Sequence, residues 1–392
     1  MMERSKYMSI PKVRFHGFKE KWREESLSKL FVERHEISTI TESLPQLSFT
    51  ISEGVIYPND RKSNKRDFLI KDITNKKYLV TYVGDIIYNP ANVIYGAIHR
   101  NSLCNGVVSP IYKIFKTEQD SNFMECVVRN PSFISQLSMK TEGTVTKLKT
   151  LKPESFLEMI VKIAPSIDEQ QKIASYFQSL DSLIQTTSKK LASLKQIKAA
   201  SLQSMFPQEG ETVPKVRFKG FEEEWKYEIL GKISSISIGE FVIQTKQRAN
   251  APYPVYNGGI TNTGYYDYFN QEGPKIIISA RGANAGFISK YKNRFWAGNS
   301  CYSIGINNNN WEFIYYFLQS KQDSYLKEQQ AANIPSISKK QIYTTNVLLP
   351  CYNEQIKIGL FFSNLDKQIS LQTQRLEKLK QIKAACLDKM FV

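Results

Sequence analysis

The chain is poor in the residues that catalysis and metal binding draw on. Its 392 residues include three histidines, His16, His35 and His99, too scattered to suggest a shared site. The five cysteines, Cys104, Cys126, Cys301, Cys351 and Cys386, form no C-x-x-C pair. An odd number without close pairs argues against a disulfide framework and a zinc knuckle, so the thiols read as reduced packing residues. No apolar run approaches the roughly 18 residues of a membrane span, and the opening MMERSKYMSIPK lacks the apolar centre of a secretory signal, so a cytoplasmic location is expected. Acidic residues are short too. Against 53 Lys and Arg stand 37 Asp and Glu, a formal charge of +16. That surplus favours a polyanionic partner, with nucleic acid the leading candidate.

Catalytic motifs are missing as well. RGANAG (Arg281–Gly286) has neither the lysine nor the hydroxyl of a phosphate-binding P-loop, and Gly258-Gly259 makes no dinucleotide fingerprint. YNPAN (Tyr88–Asn92) has Ala91 and Asn92 where the Asn-Pro-Pro-aromatic tetrad of adenine methyltransferases needs a second proline and an aromatic ring. GEFVIQTK (Gly239–Lys246) places Gln-x-Lys after an acid but offers no carboxylate pair for Mg²⁺. What remains is a basic globular chain whose 41% hydrophobic and 12% aromatic residues suffice for about two ordinary cores.

Self-similarity, in contrast, is abundant, and it sets the architecture. PKVRFHGFKEKW (Pro11–Trp22) returns as PKVRFKGFEEEW (Pro214–Trp225), 203 positions later. A second echo closes each half. PSIDEQQKIASYFQSLDSLIQTTSKKLASLKQIKAASLQSMF (165–206) matches PCYNEQIKIGLFFSNLDKQISLQTQRLEKLKQIKAACLDKMF (350–391) at an offset of 185, and LKQIKAA is identical in both. The material between the echoes is therefore 18 residues shorter in the second half, and it shows little resemblance between halves. Each half is a variable block held in a constant frame: block 11–160, helix 165–206, linker 207–213, block 214–345 and helix 350–391.

The closing segments read as long helices. Pro165 and Pro350 precede them, and Ser166, Asp168 and Asn353 are cap-type residues at the start. Leu180, Ile184, Thr187, Leu191 and Leu194 step by four and three, as do Leu365, Ile369, Gln372, Leu376 and Leu379. Such spacing places one narrow apolar seam on each helix, as a coiled coil requires. A single amphipathic helix lying on its own domain would show the same pattern, but two copies in one chain supply each other with a partner. The pattern does not fix chain direction; an antiparallel pair would put the blocks at opposite ends. Asp181–Met205 and Asp366–Met390 each span 25 residues. At about 1.5 Å per residue that is roughly 38 Å, close to the roughly 34–36 Å of one turn of B-DNA.

The variable blocks alternate β-branched and aromatic runs with Gly, Asn and Pro turns, as in residues 76–116 and 274–304, which reads as mixed α/β or β-rich. Their turns carry residues suited to DNA. Arg61, Lys62, Asn64, Lys65 and Arg66 form one basic cluster and Lys290, Lys292, Asn293 and Arg294 another, placed to engage phosphates. Asn89, Asn92, Arg100, Asn101 and Asn105 in the first block, with Asn257, Arg281, Asn284 and Asn299 in the second, are candidate base readers, since Asn pairs with adenine and Arg with guanine. The competing reading of a loop Asn is a turn former. Tyr57, Tyr82, Tyr256 and Trp296 are candidates for packing on sugar or base, with core packing as the alternative.

The frame of PKVRF, GF and Trp before each block, and of EQ, KI, LD and LKQIKAA after it, resembles the specificity subunit of type I restriction–modification systems over nearly the whole chain. The resemblance implies a mixed α/β fold: two tandem target recognition domains separated by a long antiparallel two-helix coiled coil, with a pseudo-twofold internal repeat. Each domain would read one half of a split, asymmetric site in double-stranded DNA. The spacer helices, through Leu180, Ile184, Leu191, Leu194, Leu365, Ile369, Leu376 and Leu379, would pair and dock two methyltransferase (modification) subunits. Those subunits would carry S-adenosylmethionine and flip the adenine. Restriction/translocase subunits using ATP and Mg²⁺ would join them in the bacterial cytoplasm, at the nucleoid, with no cofactor in this chain and no membrane. The alternative is a stand-alone endonuclease or methyltransferase, which an assay of the purified chain with Mg²⁺ or S-adenosylmethionine separates. Inserting four residues, about one helical turn, between Thr186 and Leu194 is expected to lengthen the spacer of the recognised site or abolish binding. Mapping the methylated motif checks this; an unchanged spacer at full affinity contradicts it.

Overall fold

Compactness divides the chain differently from its repeats. In a computed structural model that describes residues 10–61, 76–141, 150–322 and 335–391, one unit combines residues 1–186 with 376–392 and the other is residues 187–375. The boundaries at 186/187 and 375/376 fall inside the two long helices rather than at the ends of the repeated frame. The reason is the seam: a helix that is apolar on one stripe along its whole length buries each part against whatever lies beside that part.

The first unit opens with β1 (Arg23–Ser26), the single turn α1 (Leu27–Leu30) and β2 (Phe31–Glu33). Short strands follow: β3 (Ile37–Ser38), β4 (Ser48–Thr50), β5 (Gly54–Ile56), β6 (Tyr78–Thr81), β7 (Ile86–Tyr88), β8 (Ile98–Arg100), β9 (Gly106–Val108) and β10 (Lys113–Thr117). Helices α2 (Ser121–Val128), α3 (Pro131–Lys140) and α4 (Pro153–Leu157) lead to β11 (Ile160–Ile163) and into α5 (Ile167–Ser204). The main antiparallel sheet has the order β2-β10-β7-β8, beside a β3-β6-β9 sheet and the β4-β5 hairpin, while β1 pairs with β11. Strand β7 is buried on both faces. Ile86 and Tyr88 join the core that contains Trp22, Phe115, Phe123 and Phe156, whereas Ile87 joins Leu47, Val108 and Ile114 on the other side. That is the two-residue period of a strand sandwiched between two layers.

The second unit repeats the plan with other residues. After the last part of α5 come β12 (Lys226–Ile229), β13 (Ser234–Ile238), β14 (Tyr253–Tyr256), β15 (Gly264–Tyr266), β16 (Lys275–Ser279), β17 (Ile288–Tyr291), β18 (Trp296–Ala297) and β19 (Cys301–Ile306). Then follow α6 (Trp311–Ser320), α7 (Lys339–Tyr343), β20 (Asn346–Leu349) and the first part of α8 (Tyr352–Met390). The main sheet runs β13-β19-β16-β17, and β12 pairs with β20. Numbered within each unit's main sheet, both orders are first, fourth, second, third. Again one strand serves two cores: Ile276 and Ile278 face Trp225, Ile304 and Phe313, while Ile277 faces Phe295 and Cys301.

Within each unit the two long helices run antiparallel. In the first, Tyr176 Oη lies 3.4 Å from Cys386 Sγ, and Asp181 pairs with Lys383 at 2.5 Å, so position numbers rise on α5 as they fall on α8. Leu180 is buried there with Leu379 against it, and Ile184 is half-buried. In the second, Lys198 pairs with Asp366 at 2.7 Å, and Leu194 shares a core with Leu365 and Ile369. Leu191 and Leu376 are buried too. The two ion pairs are one pair made twice, because both the aspartates and the lysines stand 185 positions apart.

The duplicated motifs meet at one joint in each unit. Arg14 donates from Nε and Nη2 to the carboxylate of Glu169 at 2.6 and 2.7 Å, and Trp22 Nε1 donates to the same carboxylate at 3.2 Å. Arg217 forks onto Glu354 at 2.8 Å through both bonds. Trp225 is buried against Phe206 and Phe313, with Nε1 lacking a hydrogen-bond partner among the described residues. The next residue, Gln170, donates to Ala164 O and accepts from Asp120 N, as Gln355 donates to Pro350 O and accepts from Asn310 N. Asp120 and Asn310 in turn cap α2 and α6 by accepting from Phe123 N and Phe313 N, both at 2.8 Å. One glutamate–glutamine pair per helix thus fixes both the incoming motif and the first helix behind the sheet. Glu169→Ala would leave the Arg14 guanidinium, whose side chain is 10% exposed, without its carboxylate, with an expected loss of about 3–5 kcal/mol by chemical denaturation; Glu354→Ala is expected to cost less, because Arg217 Nη2 keeps a hydrogen bond to Glu223 O at 2.7 Å. A loss within the roughly 0–1 kcal/mol of a surface pair would contradict this.

Candidate nucleic-acid interface

In each unit, the hairpin between the second and third strands of the main sheet ends in a loop at the sheet's edge that carries two of the candidate readers. In the first unit this loop is Asn89–Ala97. Asn89 accepts from Ala91 N at 3.0 Å through its side chain, and Pro90 O accepts from Leu151 N at 3.1 Å, which ties the loop to the segment before α4. Asn92 is half-buried and makes no capping bond with its side chain. In the second unit the loop is Ala280–Phe287. Ala280 N donates to Ser300 O at 2.8 Å, while Gly282 N donates to Pro335 O and Ile337 N to Ala280 O, both at 2.9 Å. The segment before α7 holds this loop as the segment before α4 holds the other.

The second loop gathers most of the candidate readers of its unit. Asn257 Oδ1 accepts from Ser300 N at 3.0 Å, bringing 257–259 and 298–300 beside Arg281. Gly298 is required for that approach, since a Cβ there would lie 2.3 Å from Asn257 Oδ1. Arg281 is exposed; Asn284 and Asn299 are half-buried.

Other candidates are turned inward. Asn101 is fully buried, its amide donating to Thr81 Oγ1 and Cys104 O and its oxygen accepting from Leu103 N. A loop whose backbone leaves the surface needs such a side chain to satisfy it, so Asn101 shapes the loop and has no edge left for a base. Arg100 lies against Glu125, which also faces His99 and Arg129. Asn105 is exposed, though its oxygen accepts from Val83 N at 3.0 Å. Arg61 is exposed, whereas Lys62, Asn64, Lys65 and Arg66 lie outside the described residues. Among the aromatic candidates only Tyr57 is exposed. Tyr82 sits under Arg34 and donates to Glu36, Tyr256 packs on Tyr291 and Phe295, and Trp296 on Tyr266 and Tyr268. Burial pushes the Cys126 and Cys301 thiols up to about 12, in keeping with packing.

The basic cluster on β17 splits by depth. Arg294 pairs with Glu272 at 2.9 Å at the surface, where such a pair is weak enough to exchange for a phosphate, while the exposed Lys292 pairs at 2.9 Å with the buried Glu312. Lys290 is half-buried instead. It donates to Tyr316 Oη at 2.6 Å, lies 3.3 Å from Asp366, and sits over the rings of Tyr315 and Tyr316. Asp366 also accepts from Tyr316 Oη at 2.6 Å and pairs with Lys198, so one carboxylate on α8 gathers groups from α5, α6 and the β16–β17 hairpin. Sequence reasoning missed this hub and the two Arg–Glu forks. Their signal was available in the charged positions that recur at offsets of 185 and 203.

The first unit also carries a groove of about 780 Å³ beside the helices, floored by Val127, Phe133, Ile184 and Leu387 and rimmed by Lys12, Lys162, Lys380 and Lys383. Leu183 and Ile197 on α5, and Leu360 and Leu371 on α8, are apolar and exposed. Among the described residues no group of His, Cys, Asp or Glu is arranged to hold a metal ion, and no helix is long and apolar enough to cross a membrane.

Residues 222–381 match the family model described as the type I restriction modification DNA specificity domain. A type I specificity subunit of Mycoplasma genitalium is 19% identical over 249 residues, which is 63% of this chain; the match spans 65% of that relative's length, just under two thirds. The crystal structure of a type I restriction–modification S subunit from M. genitalium is similar in fold, with a TM-score of 0.70 over 98% of this chain and 99% of that one at 17% identity.

Burial raises the Asp366 pKa, but the hydrogen bonds and charges of Lys198, Tyr316 and Lys290 outweigh it and hold the carboxyl below the ordinary range. Its contribution is full above the unfolded value near about 3.9 and is lost as pH falls through the lower folded value. Stability followed by circular dichroism between about pH 7 and about pH 3 is therefore expected to drop on the acid side, and Asp366→Asn to flatten that limb. An identical pH profile for the variant would contradict this.

Proposed function

We propose that the chain is a type I specificity subunit, the sequence-reading, non-catalytic subunit of a restriction–modification assembly. Each unit reads one half of a split, asymmetric site in double-stranded DNA. The observation that carries this reading is the shared frame with unlike loops: the same strand order and the same Arg–Glu joint recur in both units, while Asn89–Ala97 and Ala280–Phe287 present different polar groups. Two readers built alike but lettered differently suit a non-palindromic target.

Phosphate contacts would come from surface cations such as Arg61, Lys292 and Arg294, which position the duplex without reading it. Base contacts would come from Asn92 in one loop and from Arg281, Asn284 and Asn299 around the other. Helices α5 and α8 would set the unread spacer and dock two methyltransferase subunits. The groove beside them, with an apolar floor and a lysine rim, and the exposed Leu183, Ile197, Leu360 and Leu371 support such docking. S-adenosylmethionine would be carried by those subunits, and ATP and Mg²⁺ by restriction/translocase subunits.

Exchanging residues 226–349 for those of another family member is expected to change one half of the methylated motif and leave the other half and the spacer as they were. Sequencing of methylated adenines in cells that express the chain with its methyltransferase reads this directly. A change in both halves, or methylation without this chain, overturns the proposal.

A further inference from the structure

Building on the split-site reading, we propose that Arg281 is a specificity-determining residue of the second unit and recognises a guanine through a paired hydrogen bond to its O6 and N7. Among the described residues of the second unit that precede helix α8, the other arginines have carboxylate partners: Arg217 with Glu354, Arg248 with Asp267 and Arg294 with Glu272. Arg281 has none and is exposed. Its backbone is nonetheless held from both sides. Ala280 N donates to Ser300 O, Ile337 N to Ala280 O and Gly282 N to Pro335 O, and Arg281 itself bridges Ser336 across the loop. A fixed backbone under an unengaged guanidinium is what a preorganised reader requires, because little ordering remains to be done on binding.

The surroundings fit a flat ligand. Gly258 lies beside the Arg281 backbone, and Gly282 and Ala283 follow it in the chain; a Cβ built on Gly282 meets nothing within 4 Å among the described residues. Asn257 uses its oxygen on Ser300 N and so braces the loop. The guanidinium fork presents two parallel N–H donors, matching the two acceptors that guanine shows in the major groove and that no other base edge offers. Lysine would keep the charge and lose the fork.

The test uses the chain co-expressed with its methyltransferase. The half-site belonging to the second unit is first assigned by the 226–349 exchange, and it is expected to contain a G·C pair. Arg281→Ala and Arg281→Lys should each relax that one position, with preference for the G·C pair falling by about 5- to 150-fold in competition binding, while the other half of the motif stays unchanged. Thermal melting of the lysine variant checks that the fold is intact. A half-site without a G·C pair, a motif unaltered in both variants, or affinity that falls equally for every duplex, as a phosphate contact would give, each overturns the assignment alone. A wild-type chain that directs no split motif overturns the functional reading beneath it.

Discussion

Two buried forks hold the architecture together. Arg14 on Glu169 and Arg217 on Glu354 join the residues that lead into each head to the first turn of the helix that leaves it. The carboxylates are almost wholly out of water, 1% and 0% exposed, so neither could persist there without its partner. A lone buried charge would cost more than the fork returns in stability, which makes the joint a constraint on position rather than a source of surplus stability. The adjacent glutamines carry that constraint onward to the caps of α2 and α6 and so to the helices packed behind each sheet.

With the frame fixed, the heads can differ where difference matters. Both main sheets bury a strand on two faces, which demands apolar residues at nearly every position of β7 and β16 and leaves little freedom there. The loops that follow are free of that demand, and there Asn89-Pro90-Ala91-Asn92 stands in one unit and Arg281-Gly282-Ala283-Asn284 in the other. Their anchoring is alike, since each is tied by backbone hydrogen bonds to the segment before a short helix. Rigid support with variable lettering is the arrangement expected of a surface that must discriminate.

Much of this was legible in the sequence. The repeated motifs gave the frame, and the four-and-three spacing gave the helices, because both signals come from burial on a regular period. The common sheet order of the two heads was not legible. A two-sided strand such as IIY or KIIIS announces only that it is apolar, and three to five residues cannot state which strand lies alongside. Composition misled most at polar side chains. Asn101 and Lys290 are chemically able to touch DNA, yet the first satisfies a buried loop and the second a carboxylate on α8. Whether a polar residue faces out is decided by what folds over it, which its own identity does not record.

Closure of the first unit by residues 376–392 also bears on how the protein emerges from the ribosome. The second unit is contiguous, so all its parts are available once residue 375 has been made, whereas Trp22 waits for Phe391 to complete its aromatic surroundings. The domain begun first is thus the last that can be finished, and its sheet must persist with an open apolar flank for most of translation. Vectorial synthesis, which ordinarily rewards domains in the order they are made, here runs against the order in which the cores can be sealed.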